Sequence, residues 1–155
     1  VRALKFRGHD FLGSELARAG LARLSLSDLG HPQLVVAVPL PWPRRMVRGF
    51  NQSERFGRPL ARSLGVPFRE VLSRPPWAGR QLLRTRAERV RHGLEGCRVR
   101  RPGPVRERRV LLVDDVLTTG ATARAAAAAL AAAGALEVTV LVAAWTPLEP
   151  PFRLS

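Results

Sequence analysis

Asp114 and Asp115 stand side by side at the end of an apolar run, Val110-Leu111-Leu112-Val113. Val116 and Leu117 follow, and then a stretch of small residues, Thr118-Thr119-Gly120-Ala121-Thr122. Neighbouring carboxylates accept hydrogen bonds from hydroxyl groups. A turn of little bulk leading straight into a helix leaves backbone N–H groups unpaired and aimed outwards, which suits an anion. Carboxylates beside an anion site fit a phosphorylated sugar: amides and threonine hydroxyls hold the phosphate, and Asp114 and Asp115 take the sugar hydroxyls.

This chemistry needs a buried strand before the acidic pair and a helix after the turn. Val110–Val113 supplies the strand. Ala121–Ala133 supplies the helix, since alanine is the best helix former, and Gly134 is placed to end it. Glu137–Ala144 reads as a further central strand. Upstream, Leu34–Val38 is a β-branched run without alternation, as in a strand covered on both faces of a parallel sheet. Pro39, Pro41 and Pro43 end it, and Arg44, Arg45 and Arg48 follow, then Gly49-Phe50-Asn51-Gln52. Ligands of open parallel sheets bind beyond the carboxyl ends of the strands. The arginine loop and the acidic pair are therefore expected to meet at one edge. Strand–helix units in this order predict a doubly wound, mostly parallel α/β fold flanked by helices.

The remaining segments are arranged around that centre. Helical spacing runs from Asp10 to Leu24, and Gly30-His31-Pro32 forms a turn. Ser53–Leu64 reads as a helix ending at Gly65. Its Pro59 would cost about 3 kcal/mol inside a helix, which predicts a kink or a later start near Arg58. Val66–Leu72 is expected as a strand and Arg74–Gly79 as a turn. Gln81–Leu94 carries Arg84, Arg86, Arg89 and Arg91 without an apolar face. It reads either as an exposed segment or as a lid over an anionic ligand, with Gln81, Arg84, Arg86 and Arg89 as its contacts. Arg100–Arg109 is a basic loop, and the proline-rich tail from Pro147 an edge strand or loose.

The 155 residues suit one domain and carry a net charge of +14, with Lys5 the only lysine among 26 basic residues. Such a field attracts polyanions, nucleic acid or phosphorylated metabolites, although an arginine excess also follows from base composition. The single Cys97 excludes an internal disulfide and fits a reducing compartment. No run reads as a membrane span or secretory leader, so the expected location is the cytoplasm.

With these residues in view, Val110–Thr122 resembles the phosphoribosyl pyrophosphate signature of the type I phosphoribosyltransferases. More narrowly, Leu4-Lys5-Phe6, Ala37-Val38-Pro39-Leu40, Arg48-Gly49-Phe50-Asn51-Gln52 and Gln81 with its following arginines resemble the ComF family. Members commonly begin with a four-cysteine zinc ribbon, whereas this sequence has one cysteine. A short form without the ribbon is the expectation, as one domain: residues 1–32 a helical or hood segment, 33–146 the core, 147–155 a tail.

The resemblance implies a type I phosphoribosyltransferase fold with a small hood and a flexible lid. It implies that Asp114 and Asp115 contact the ribose hydroxyls of phosphoribosyl pyrophosphate. Thr118, Thr119, Gly120, Ala121 and Thr122 would wrap the 5′-phosphate, with the pyrophosphate near Arg44, Arg45 and Arg48. Mg²⁺ would be held through substrate, waters and the two aspartates rather than by a protein cage. Transfer of phosphoribose to a nitrogen acceptor follows as the activity. Relatives acting on 6-oxopurines carry an aspartate where this chain has Thr118, so weak turnover of hypoxanthine and guanine is expected. Two other functions fit the resemblance. One is an accessory competence protein working with single-stranded DNA, for which the arginines with Trp42 and Trp77 would serve. The other is a regulator of the pyrimidine-operon type. The sequence leaves the oligomeric state open, a homodimer being one option.

Overall fold

A computed structural model of the chain describes residues 3–5, 26–40, 46, 49–74 and 97–145. The described elements are β1 (Ala3–Lys5), β2 (Leu34–Ala37), α1 (Gln52–Ser63), β3 (Leu72–Ser73), β4 (Arg98–Val99), β5 (Arg109–Leu117), α2 (Ala121–Ala132) and β6 (Glu137–Trp145). Four strands form one sheet in the order β1-β6-β5-β2. Every pairing in it is parallel. β3 and β4 make a separate antiparallel pair.

The unbroken apolar runs of β2 and β5 have the physical reason expected of them: both faces are covered. Leu34, Val36, Val110 and Leu112 pack with Val138, Val140 and the α2 residues Ala126 and Leu130. Val35, Ala37, Leu111 and Val113 point the other way, onto Phe56 and Leu60 of α1. Period-2 alternation thus divides one hydrophobic strand between two cores. The small side chains of α2 let Ala123, Ala126 and Ala127 lie buried against the sheet.

α1 is continuous across Pro59, so the alternative of a late start near Arg58 is corrected. Phe56 and Leu60 are almost wholly buried, and together they contribute about 3–6 kcal/mol. That offsets the roughly 3 kcal/mol of an interior proline. Gly57 explains how closely α1 approaches the sheet. A Cβ there would lie 2.8 Å from Val113 Cγ2 and 2.9 Å from Phe68 Cε2, closer than packed carbons tolerate.

Other boundaries also move. Val66–Leu72 is not a strand: only Phe68 bridges to Val35, in parallel, and β3 begins at Leu72. Pro67 has no N–H to give a ladder, and its carbonyl accepts from the Val35 amide at 3.0 Å. The mixed N-terminal stretch contains β1, which pairs with β6 through Ala3↔Val140 to Lys5↔Val142. The expected helix at 10–24, the loop arginines Arg44, Arg45 and Arg48, Trp42, Trp77, the lid residues Gln81, Arg84, Arg86 and Arg89, and the tail lie outside the described residues. Among the described residues, no helix is long and apolar enough to cross a membrane.

Candidate functional site

Strand lengths create the site. β2 pairs with β5 only as far as Ala37↔Val113, and the Val38 amide adds one bond to the Val113 carbonyl. β5 continues through Asp114 and Asp115, held on its other side by β6 as far as Leu117↔Trp145. The acidic pair is therefore inside β5, not at its end. It begins where β5 loses its β2 neighbour. From β2 the chain passes through α1 on one face to the Phe68 bridge on the outer side of β2. From β5 it passes through α2 on the opposite face to β6. Neighbouring strands whose chains leave to opposite faces open a crevice at their carboxyl ends, where ligands of such sheets bind.

The N-terminus of α1 stands in that opening. Asn51, 2% exposed, is the N-cap and accepts from the Ser53 amide at 3.2 Å. Its Nδ2 donates to the Val38 carbonyl at 3.0 Å and to Glu54 Oε1 at 3.2 Å. One side chain thereby fixes the start of α1 to the end of β2. Ser53 lies one residue further in. Its hydroxyl donates to Asp114 Oδ1 at 3.2 Å, with Asp115 Oδ1 at 3.5 Å. It also accepts from the Asp115 amide at 3.2 Å. Asp114 Oδ1 accepts from that amide as well, at 3.0 Å.

Asp114 is 7% exposed. Burial is the main reason that its carboxyl is pushed up to about 7; the adjoining Asp115 charge adds to this, and the Ser53 hydrogen bond opposes it. Asp115 is only half-buried. The pair thus consists of one carboxylate reluctant to ionise and one open to solvent. Two adjacent carboxylates and a hydroxyl are hard oxygen donors that suit Mg²⁺, an ion that keeps waters and substrate oxygens in its shell. Among the described residues, no group of three or more His, Cys, Asp and Glu is placed to hold a metal by itself.

Thr118–Gly120 forms the bend before α2. Gly120 is the N-cap of α2 in the left-handed region, φ +74°, without a side-chain cap, and α2 has no acidic residue in its first turn. The amide of Ala121 donates to Thr119 Oγ1 at 3.3 Å. The positive end of α2 therefore faces the crevice without a carboxylate of its own to neutralise it.

The structure brings Asp114, Asp115 and Thr118–Thr122 to one edge. Four residues of this region, Asn51, Ser53, Glu54 and Arg74, were not singled out from the sequence for what they do here. Asn51 and Glu54 have capping-box spacing, a signal that was available. Ser53 makes its contacts across 61 residues of sequence, and no local pattern reports that. Arg74, expected in a turn, sends Nη1 to within 3.5 Å of Thr122 Oγ1. Cys97 is buried within electrostatic reach of Arg74 and Asp114. Its thiol is pushed up to about 11, chiefly by burial, which leaves it protonated and unreactive at neutral pH.

A family model described as Phosphoribosyl transferase domain matches residues 51–149. DNA utilization protein YhgH of Escherichia coli (strain K12) is 35% identical over 135 residues, covering 79% of this chain and 55% of the relative. Competence protein F of Haemophilus influenzae is 29% identical over 132 residues, covering 79% and 56%. The chain spans about half the length of the curated relatives it matches. Among solved structures, the glutamine phosphoribosylpyrophosphate amidotransferase from B. subtilis, complexed with ADP and GMP, superposes with a TM-score of 0.59 at 25% identity, over 85% of this chain and 25% of that one. A structure described as the allosteric regulatory enzyme of purine biosynthesis gives 0.55 at 25% identity, over 85% and 24%.

Proposed function

Because the chain belongs to the phosphoribosyl transferase domain family, in its ComF branch, and has the type I phosphoribosyltransferase fold, we propose that it binds 5-phosphoribosyl 1-pyrophosphate and transfers the phosphoribosyl group to a nitrogen acceptor. The observation that carries this reading is a juxtaposition in the C-terminal half of β5 and the turn after it. An acidic pair held by Ser53 adjoins an uncapped helix N-terminus. A sugar phosphate has the two complementary ends, hydroxyls for the carboxylates and an anion for the helix.

The chain's own residues do positional and electrostatic work. Asp115 accepts from the ribose hydroxyls, and Asp114 backs it from the buried side. The loop amides and the hydroxyls of Thr118, Thr119 and Thr122 orient the 5′-phosphate. Bound Mg²⁺ would supply charge neutralisation for the departing pyrophosphate, with Asp114 and Asp115 as its protein contacts. As the bond from C1 to pyrophosphate breaks, positive charge grows on the sugar, and the nearby carboxylate of Asp115 stabilises it at short range. Thr118 has no carboxylate to take a proton from a 6-oxopurine, so hypoxanthine and guanine are poor acceptors on this reading. Incubating the chain with donor, Mg²⁺ and a panel of nitrogen nucleophiles, with pyrophosphate release as readout, tests transfer. Release with ammonia or an amine but not with hypoxanthine supports it, and robust turnover of hypoxanthine overturns the acceptor assignment.

The names of the relatives favour a second reading, in which the same pocket serves a protein of DNA utilization or competence. Single-stranded DNA binding measured against salt separates the two. Affinity that persists near 0.15 M ionic strength, where the Debye length is about 8 Å, supports a DNA role. Affinity that vanishes there returns the arginine excess to composition.

A further inference from the structure

The loop expected to receive a phosphate is flanked by two guanidinium groups that its signature does not require. Arg74 leaves the end of β3, half-buried, and brings Nη1 to 3.5 Å from Thr122 Oγ1. Its Nε is shielded from solvent and has no hydrogen-bond partner. A buried donor left unmade costs about 1–3 kcal/mol. Arg124 comes from the first turn of α2. Its Nη1 lies 3.1 Å from where a Cβ of residue 120 would be, with Cζ at 3.8 Å. The missing side chain of Gly120 therefore makes room for the second guanidinium. The described residues place no carboxylate in an ion pair with either arginine; the exposed Arg58–Glu70 pair is the described example of one. α2 has no acid in its first turn either.

We propose that Arg74 and Arg124 form a two-sided clamp on a dianionic phosphomonoester seated in the Thr118–Thr122 loop. This rests on the sugar-phosphate reading of the pocket and gives it a charge specificity. The slack 3.5 Å approach of Arg74 to Thr122 tightens when one phosphate oxygen accepts from both. The planar guanidinium fork offers paired donors to phosphate, which a lysine cannot reproduce. Arg74 also ties the site to the β3–β4 pair. It directly follows β3, whose Ser73 hydroxyl donates to the Arg98 carbonyl of β4 at 3.4 Å.

Calorimetric titration of wild type, Arg74→Gln, Arg74→Lys and Arg124→Gln with ribose 5-phosphate and with phosphoribosyl pyrophosphate tests the clamp. Unphosphorylated ribose is the control. Loss of either arginine should weaken ribose 5-phosphate binding about tenfold, as for one charge-assisted pair, and Arg74→Lys should fall between. Wild-type affinity should rise as the ligand's second phosphate ionisation, near pH 6 (roughly), completes, and both glutamine variants should lose part of that rise. A purely structural role would not move that pH dependence. If Arg74→Gln does not fold, Arg124→Gln and Arg74→Lys carry the test. Wild-type affinity and an unchanged pH profile in these variants overturn the clamp while leaving the sugar-phosphate reading intact. Failure of wild type to bind either phosphorylated ligand overturns that reading itself.

Discussion

Two helices begin at the same edge of the sheet and begin in opposite ways. α1 is closed: Asn51 caps it, Glu54 supplies a carboxylate in its first turn, and Ser53 is buried against the acidic pair. α2 is open: its cap is a left-handed glycine with no side chain, and its first turn carries no acid. The free energy of a satisfied N-terminus goes into stability, whereas an unsatisfied one keeps its donors for a ligand. One helix start is scaffolding and its neighbour is a receptor. The distinction lies in a few residues, Asn51-Gln52-Ser53-Glu54 against Gly120-Ala121-Thr122-Ala123.

The contrast can be broken most severely at the open end. Gly120→Val puts a β-branched side chain at φ +74°, with its Cβ against Arg124. Strain of about 1–3 kcal/mol would fall on the loop. Titration should show ribose 5-phosphate affinity reduced by about 10–100-fold, and unaltered affinity would contradict the receptor role. The matching change at the closed end, Asn51→Ala, should act on stability. It removes a cap worth about 1–2 kcal/mol and the bond to Val38. A lowered denaturant midpoint is expected, and a variant as stable as wild type would show that the cap holds nothing.

Ser53→Ala is smaller in stability, about 0.5–1.5 kcal/mol for a net hydrogen bond. It should nevertheless weaken sugar-phosphate binding, because it releases Asp114 and the Asp115 amide together. Loss of stability without loss of binding would make Ser53 packing only.

Asp114 gives the subtlest test. Its pKa lies at about 7 when folded, against 3.8 for the ordinary group. A raised folded value favours the protonated form in the native state. That contribution is fully present below 3.8 and is lost as pH rises through about 7. Wild type should therefore lose stability relative to Asp114→Asn across that window, because the amide does not titrate. Thermal unfolding of both in ligand-free buffer checks this, and parallel curves would contradict the burial of an ionisable carboxyl.

What the sequence made legible follows the same division. The open end was written locally: apolar run, acidic pair, Thr-Thr-Gly-Ala-Thr and alanines all lie within Val110–Ala133, where periodicity and turn chemistry act. The closed end was written at a distance. Ser53 matters only because β2 ends at Ala37 and leaves Asp114 beside it, and no local pattern encodes the length of a neighbouring strand. β3 and β4, each of two residues, are too short for alternation to show, so no local pattern reports the approach of Arg74 to Thr122. A start of α1 near Arg58 failed for a related reason: propensity acts on one helix, whereas Phe56 and Leu60 pack against a sheet. Asn51 stands apart: its three-residue spacing to Glu54 is a local capping pattern, although the helix was expected only from Ser53.

The central claim is that the end of β5 holds a phosphorylated sugar between an acidic pair and an open helix. Isothermal titration of phosphoribosyl pyrophosphate with Mg²⁺ into wild type and Asp115→Ala tests it most directly. Saturable one-to-one binding to wild type, weakened about tenfold or more in the variant by loss of charged hydrogen bonds, is the predicted result. No heat of binding in wild type, or equal affinity in the two proteins, would contradict it.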